Sequence, residues 1–201
     1  MFVLLNEIMT SFLQLILFSL FPLIWWLFTD KKVPFFQWIG LKKVVGDRSK
    51  IWGMGVIVFA VLVGLGLLLI IFVTGTKNLA NTQFAKATPA AMIAMLFYAF
   101  IQTALAEEIL FRGFLGKRLI SYFGFLVGNL AQAACFATIH VFGIVSSSGI
   151  FTILGVFIFT GLVGYLMGYI NEQLAGGSIL PSWIIHGFSN VASTVFLMFY
   201  L

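Results

Sequence analysis

Long apolar blocks separated by short polar punctuation set the pattern of this chain. As a helix, about 20 apolar residues cross the ~30 Å hydrocarbon layer of a bilayer. Six segments have that length, roughly 8–28, 51–74, 90–112, 123–142, 149–170 and 179–200. The connections are short except for 29–50 and 75–89. The pattern predicts an all-α fold, a polytopic membrane bundle of about six transmembrane helices. Residues 1–89 form two N-terminal spans joined by a basic loop, and residues 90–201 form the remainder.

The 29–50 connection, "TDKKVPFFQWIGLKKVVGDRSK", sets Phe35, Phe36 and Trp38 beside Lys31, Lys32, Lys42 and Lys43. That mixture suits either a segment lying along lipid headgroups or an ordinary loop. The N-terminal block carries Glu7 in place of a basic flank and no A-x-A site follows it, so it reads as a retained span and not as a signal peptide.

Composition reinforces the membrane reading. The 201 residues are 62% hydrophobic and only 8% charged, and mean hydropathy is +1.13. A soluble domain carries about 25% charged residues. The formal charge of +5 implies no nucleic acid, because the basic residues lie between apolar blocks and act as topology signals. The 29–50 loop and the stretch from Arg112 to Arg118 carry nine of the eleven Lys and Arg residues; only Lys77 and Lys86 fall on the other side. This bias places the basic loops in the cytoplasm and both termini outside. The single cysteine, Cys135, has no partner for a disulfide or a metal motif and is expected to pack as a small core residue.

In the fifth span, Gly164 and Gly168 form a G-x-x-x-G pair. Such a pair either packs helices within the bundle or joins two copies as a homodimer. No internal repeat supports a transporter built from inverted halves.

Ionisable groups inside spans cost at least ~2.5–3.5 kcal/mol each and therefore mark function. The stretch "ALAEEILFRGF" (104–114) places Glu107, Glu108 and Arg112 at the end of an apolar run. Glu108 and Arg112, at i and i+4, can form an ion pair. Glu107 lies about 100° around the helix from Glu108 and needs a different partner. The only two histidines both lie in spans, in "FATIH" (Phe136, His140) and "HGFSN" (His186, Asn190). Gln102, Asn129 and Gln132 read as packing hydrogen bonds. At ~1.5 Å per residue, Glu107 lies about 15 Å from Lys117 and His186 about 12 Å from Ser178, but His140 lies about 24 Å from Gly124. Common depth then requires the fourth helix to tilt or to start below the surface.

These three motifs, E-E-x-x-x-R, F-x-x-x-H and H-x-x-x-N in that order, resemble the CPBP family of intramembrane proteases. It comprises CAAX prenyl endopeptidases and bacteriocin-processing or bacteriocin-immunity proteins, also called the Abi family. The resemblance covers about residues 90–200 and makes the last four helices the catalytic core. It implies an intramembrane endopeptidase. Glu107 would activate a water, His140 would position it, and His186 and Asn190 would stabilise the oxyanion. Glu108, Arg112 and Phe136 would support the site. The chemistry agrees, since peptide hydrolysis needs a base for the attacking water and donors aimed at the developing charge.

A metal-free mechanism is favoured, with no cofactor needed. Zinc held by Glu107, His140 and His186 is the alternative, because two His and one Glu make a recognised zinc set. Expected partners are membrane lipids and a membrane-associated peptide substrate. Two other functions remain open: a non-catalytic bacteriocin-immunity or regulatory membrane partner, and a proton-coupled transporter using Glu107 and the histidines as a relay. The compact Phe- and Lys-rich form is expected of a bacterial cell membrane, with a cavity opening toward the cytoplasm and the site nearer that side.

Overall fold

The computed structural model describes residues 2–29, 31–75 and 79–200. Among these all regular secondary structure is helical, without strands. Its α-helices are α1 (Phe2–Thr29), α2 (Phe35–Trp38), α3 (Arg48–Leu69), α4 (Pro89–Leu96), α5 (Lys117–Phe142), α6 (Ile150–Tyr169) and α7 (Leu180–Tyr200). Winding continues past several of them in π-helical segments, with i→i+5 hydrogen bonds: Ile70–Thr74, Phe97–Leu105, Glu108–Gly116 and Ile170–Leu174. The result is five continuous helices long and apolar enough to cross a membrane. Their large exposed side chains, such as Leu13, Leu17 and Phe21 on α1 and Val56 and Ile57 on α3, make a lipid-facing surface. The chain is a multi-pass membrane protein.

One of the five runs, Pro89–Phe142, holds 54 residues, about 80 Å if straight and more than twice the hydrocarbon thickness. It is not straight. At Gly124 the backbone takes φ 75° and ψ 168°, a region where glycine alone is unstrained. A side chain at Gly128 would strike the backbone of Ile120. The run therefore folds back on itself and supplies two antiparallel passes, which reconciles five helices with the six expected spans.

The position of this turn removes the depth conflict. The third pass does not surface at Lys117 but continues to Gly124. Glu107 stands 17 residues before that glycine and His140 stands 16 after it. The two are level with each other without any special tilt of the fourth pass.

Local chemistry fixes the helix starts. Asp47 caps α3 by accepting from the amides of Ser49 and Lys50 at 2.9 and 3.3 Å. Thr88 caps α4 by accepting from Ala91 N at 3.2 Å, with Pro89 in the first turn. Gly164 and Gly168 lie against α5 of the same chain: a Cβ at Gly164 would sit 3.1 Å from Ala133 Cα, and one at Gly168 would overlap Asn129. Asn129 and Gln132 then donate to the carbonyls of Tyr165 and Gly164, at 3.0 and 2.9 Å. Gln102 accepts from Thr10 and Ser11 and ties α1 to the third pass.

The 31–47 segment is more than a surface loop. Trp38 and Ile39 are buried with Ile109, Phe114 and Ile179. The segment is pinned to the turn before α7 by Ile179 N donating to Gly40 O (2.9 Å) and Ser178 Oγ donating to Lys42 O (2.7 Å).

Three expectations change. Cys135 is exposed because it lies on the outer face of α5, whereas Ala133, Phe136 and Ala137 take the inner one. Arg112 is no surface topology signal; it is 2% exposed because it is paired inside the bundle. Lys117 is drawn inward, 2.6 Å from Glu172 and 2.7 Å from Gly177 O. Lys77 lies outside the described residues.

Candidate active site

The third pass is π-wound on both sides of Glu107, over Phe97–Leu105 and Glu108–Gly116. The two adjacent carboxylates diverge and meet opposite ends of one imidazole. His186 Nδ1 is 3.3 Å from Glu108 Oε1, and its Nε2 is 3.8 Å from Glu107 Oε2. His140 Nε2 approaches the same Glu107 oxygen at 4.0 Å. That oxygen is buried and makes no hydrogen bond within the protein.

Both tautomers follow from the partners at Nδ1. His140 Nδ1 lies 2.9 Å from the carbonyl of Phe136, which can only accept, so Nδ1 carries the proton. His186 Nδ1 faces an ionised, acceptor-only carboxylate in the same way. In the neutral rings both Nε2 atoms are therefore lone-pair sites turned toward Glu107. Gaps of 3.8 and 4.0 Å are too long for direct hydrogen bonds and suit an intervening water.

Glu108 does a different job. Fully buried, it is ion-paired to Arg112 Nη1 at 3.2 Å and accepts from Ser182 Oγ at 2.5 Å. Ser182 in turn accepts from Asn171 Nδ2 at 2.7 Å. Arg112 lies over the ring of Phe136 at 4.1 Å, a cation–π contact, and that ring is 4.3 Å from the His140 ring. Phe136 thus separates the cation from the histidine while packing both.

Asn190 donates to Thr103 Oγ1 at 2.7 Å. Thr103 spends its own proton on the carbonyls of Tyr98 and Ala99, so its oxygen can only accept from Asn190. This orients the carboxamide and leaves its second N–H available. A cavity of about 350 Å³ gathers Glu107, His140, His186, Asn190, Phe136 and Thr103 on its walls. Among the described residues, no group of three or more His, Cys, Asp or Glu side chains is arranged to hold a metal ion.

A family model, type II CAAX prenyl endopeptidase Rce1-like, matches residues 89–192, just over half of the chain. The chain belongs to this family. No curated protein and no solved structure matches it. The Rce1-like segment contains the E-E-x-x-x-R, F-x-x-x-H and H-x-x-x-N motifs. It also contains Ser182, Asn171 and Thr103, which the motif reading passed over. Two of these carry a visible signal: Ser182 precedes His186 by four residues and Thr103 precedes Glu107 by four, one helical turn in each case. Asn171 has no such mark, since a polar residue at the end of an apolar span reads as interfacial.

Proposed function

We propose that this Rce1-like chain is an intramembrane endopeptidase whose base is Glu107. A water held between Glu107 Oε2 and His140 Nε2 attacks the carbonyl carbon of a peptide bond, and Glu107 takes its proton. The carbonyl oxygen becomes the oxyanion and receives hydrogen bonds from the second N–H of Asn190 and from His186. To donate from Nε2, His186 carries both ring protons, with Nδ1–H on Glu108. Collapse of the tetrahedral intermediate breaks the C–N bond, and Glu107 passes the proton to the leaving amine. No metal enters this sequence. The substrate is a membrane-associated peptide or protein.

The observation that carries the reading is the unpartnered, buried oxygen of Glu107 facing two imidazole nitrogens across water-sized gaps in a cavity. Glu107→Gln keeps the shape and removes the base. Loss of a general base costs about 10²–10⁴-fold in rate. Comparing membrane peptides of wild-type and Glu107→Gln cells by mass spectrometry should reveal a peptide left uncleaved only in the variant. Identical peptide profiles at equal expression, with the phenotype retained, would instead favour a binding role.

On the positive-inside rule, Lys31, Lys32, Lys42, Lys43, Arg48 and Lys50 favour a cytoplasmic 29–50 loop, and we propose that the start of α1 and the end of α7 lie on the outer side of a bacterial cell membrane.

A further inference from the structure

The route to the catalytic carboxylate can be read from the cavity walls. From Glu107 they extend along one direction only, through Thr103 and Tyr98 on the third pass, Ile144 and Ser148 past the end of α5, and Ser189 and Ser193 on α7. They reach the exposed Gly75 and Ala80 in the connection between α3 and α4. Among the described residues none of the walls comes from 31–50, from the turn at Gly124 or from 175–179, the segments at the opposite end of the bundle. That end is sealed. Glu108, Arg112 and Ser182 are buried beneath Glu107, and Trp38, Ile39, Phe114 and Ile179 close the bundle below them.

The open end is the one where α1 begins and α7 finishes; the sealed end carries the basic loops. We infer that the site takes its substrate from the membrane face opposite the basic loops, the extracytoplasmic face by the positive-inside bias. This proposal takes the face opposite to the cytoplasmic opening expected from the sequence. The inference rests on the endopeptidase reading for its word "substrate", but the direction of access stands on cavity and charge alone.

The walls also restrict what enters. Apart from Glu107 and the two histidines they hold no charged side chain among the described residues. The walls from the α3 run and α6 are mainly apolar (Leu62, Gly66, Ile70, Phe159, Val163), with Thr152 and Thr160 also on α6, and those from the third pass, α7 and the neighbouring connections carry hydroxyls and amides (Thr103, Ser193, Asn81, Ser148). Such a lining fits an uncharged peptide stretch with one apolar edge, its backbone groups satisfied along the polar wall. The substrate class is therefore an uncharged apolar segment of an exported peptide, or of the outward-facing end of a membrane protein.

Thiol accessibility tests this without requiring activity. In a Cys135→Ser background, which removes the exposed native thiol, Ser148→Cys, Ser193→Cys and Ser49→Cys are made singly in the full chain. Intact cells are treated with a membrane-impermeant maleimide, or for Ser193→Cys with a small charged methanethiosulfonate, and compared with permeabilised cells. The expected result is modification of Ser148→Cys and Ser193→Cys in intact cells, and of Ser49→Cys only after permeabilisation. The reverse pattern overturns the inference. So does a modified Ser148→Cys with an inert Ser193→Cys, since the cavity would then be closed to that face. Because Glu107 is untouched, either failure is separate from a failure of the Glu107→Gln experiment.

Discussion

His186 stands between two successive carboxylates that do different work. Glu107 is left with a free oxygen in the cavity. Glu108 is committed to Arg112, Ser182 and His186, so it holds a proton on Nδ1 of His186 and fixes the ring's orientation. Ser182 is thus a positioning residue that acts through Glu108, with Asn171 behind it. Removing its hydroxyl by Ser182→Ala deletes a hydrogen bond to a charged group, worth about 1.5–3 kcal/mol. Thermal unfolding in detergent should record a loss of that order. A small misplacement of a catalytic group costs up to about 10²-fold, and cleavage of the identified substrate should slow by about one to two orders of magnitude. The fall should appear in kcat more than in KM, together with an altered pH profile. Ser182→Thr should restore both profile and rate, because it keeps the donor. A Ser182→Ala enzyme with the wild-type pH profile and only lower stability would reduce Ser182 to a packing residue.

At the scale of elements, the site exists because α5 is held against both the third pass and α6. Glycine makes each approach possible. A side chain at Gly168 would overlap Asn129, whereas one at Gly53, on the lipid face of α3, meets nothing within 4 Å. Gly168→Val should therefore cost about 1–3 kcal/mol by overpacking and displace His140 with its helix, while Gly53→Val leaves stability near wild type. Unfolding midpoints of the two variants in the same detergent separate these outcomes, and equal midpoints would remove close α5–α6 packing from the account. Much of this arrangement was legible beforehand. The spans followed from apolar length, and the glutamates and histidines stood out because the membrane makes ionisable groups expensive. The i, i+4 pairing of Glu108 with Arg112 survives as a 3.2 Å contact although the winding there is π. That winding had no sequence mark. The turn at Gly124 was misplaced because Lys117 and Arg118 look like headgroup anchors, yet Lys117 spends its charge on Glu172 and Arg118 lies over the Trp38 ring. Charge announces an interface only when water, and not another side chain, is the partner.

On the scale of the whole molecule, the boundary near residue 89 drawn by the family match does not coincide with a boundary in packing. Leu62, Gly66 and Ile70, from the run ending at Thr74, line one wall of the cavity. Ile51 and Val58 share a buried cluster with Val163, Met167 and Ile185. Trp38 and Ile39 close the basic end against Phe114 and Ile179, and the buried Glu7 and Ser11 of α1 sit beside the hydroxyl–amide contacts to Gln102. A fragment of residues 89–201 would expose these surfaces to lipid. Apolar contacts gain little from burial there, but buried polar groups and the missing cavity wall have no substitute. We therefore expect residues 89–201 expressed alone to insert but to fail to give a monodisperse species by size exclusion in detergent, and to lack Glu107-dependent cleavage. Transmembrane helices can insert independently and associate afterwards, so co-expressing residues 1–88 as a separate chain should restore both properties. A monodisperse, fully active 89–201 fragment would show that the first two spans are an accessory, and that the wall built by Leu62, Gly66 and Ile70 is not needed for the chemistry.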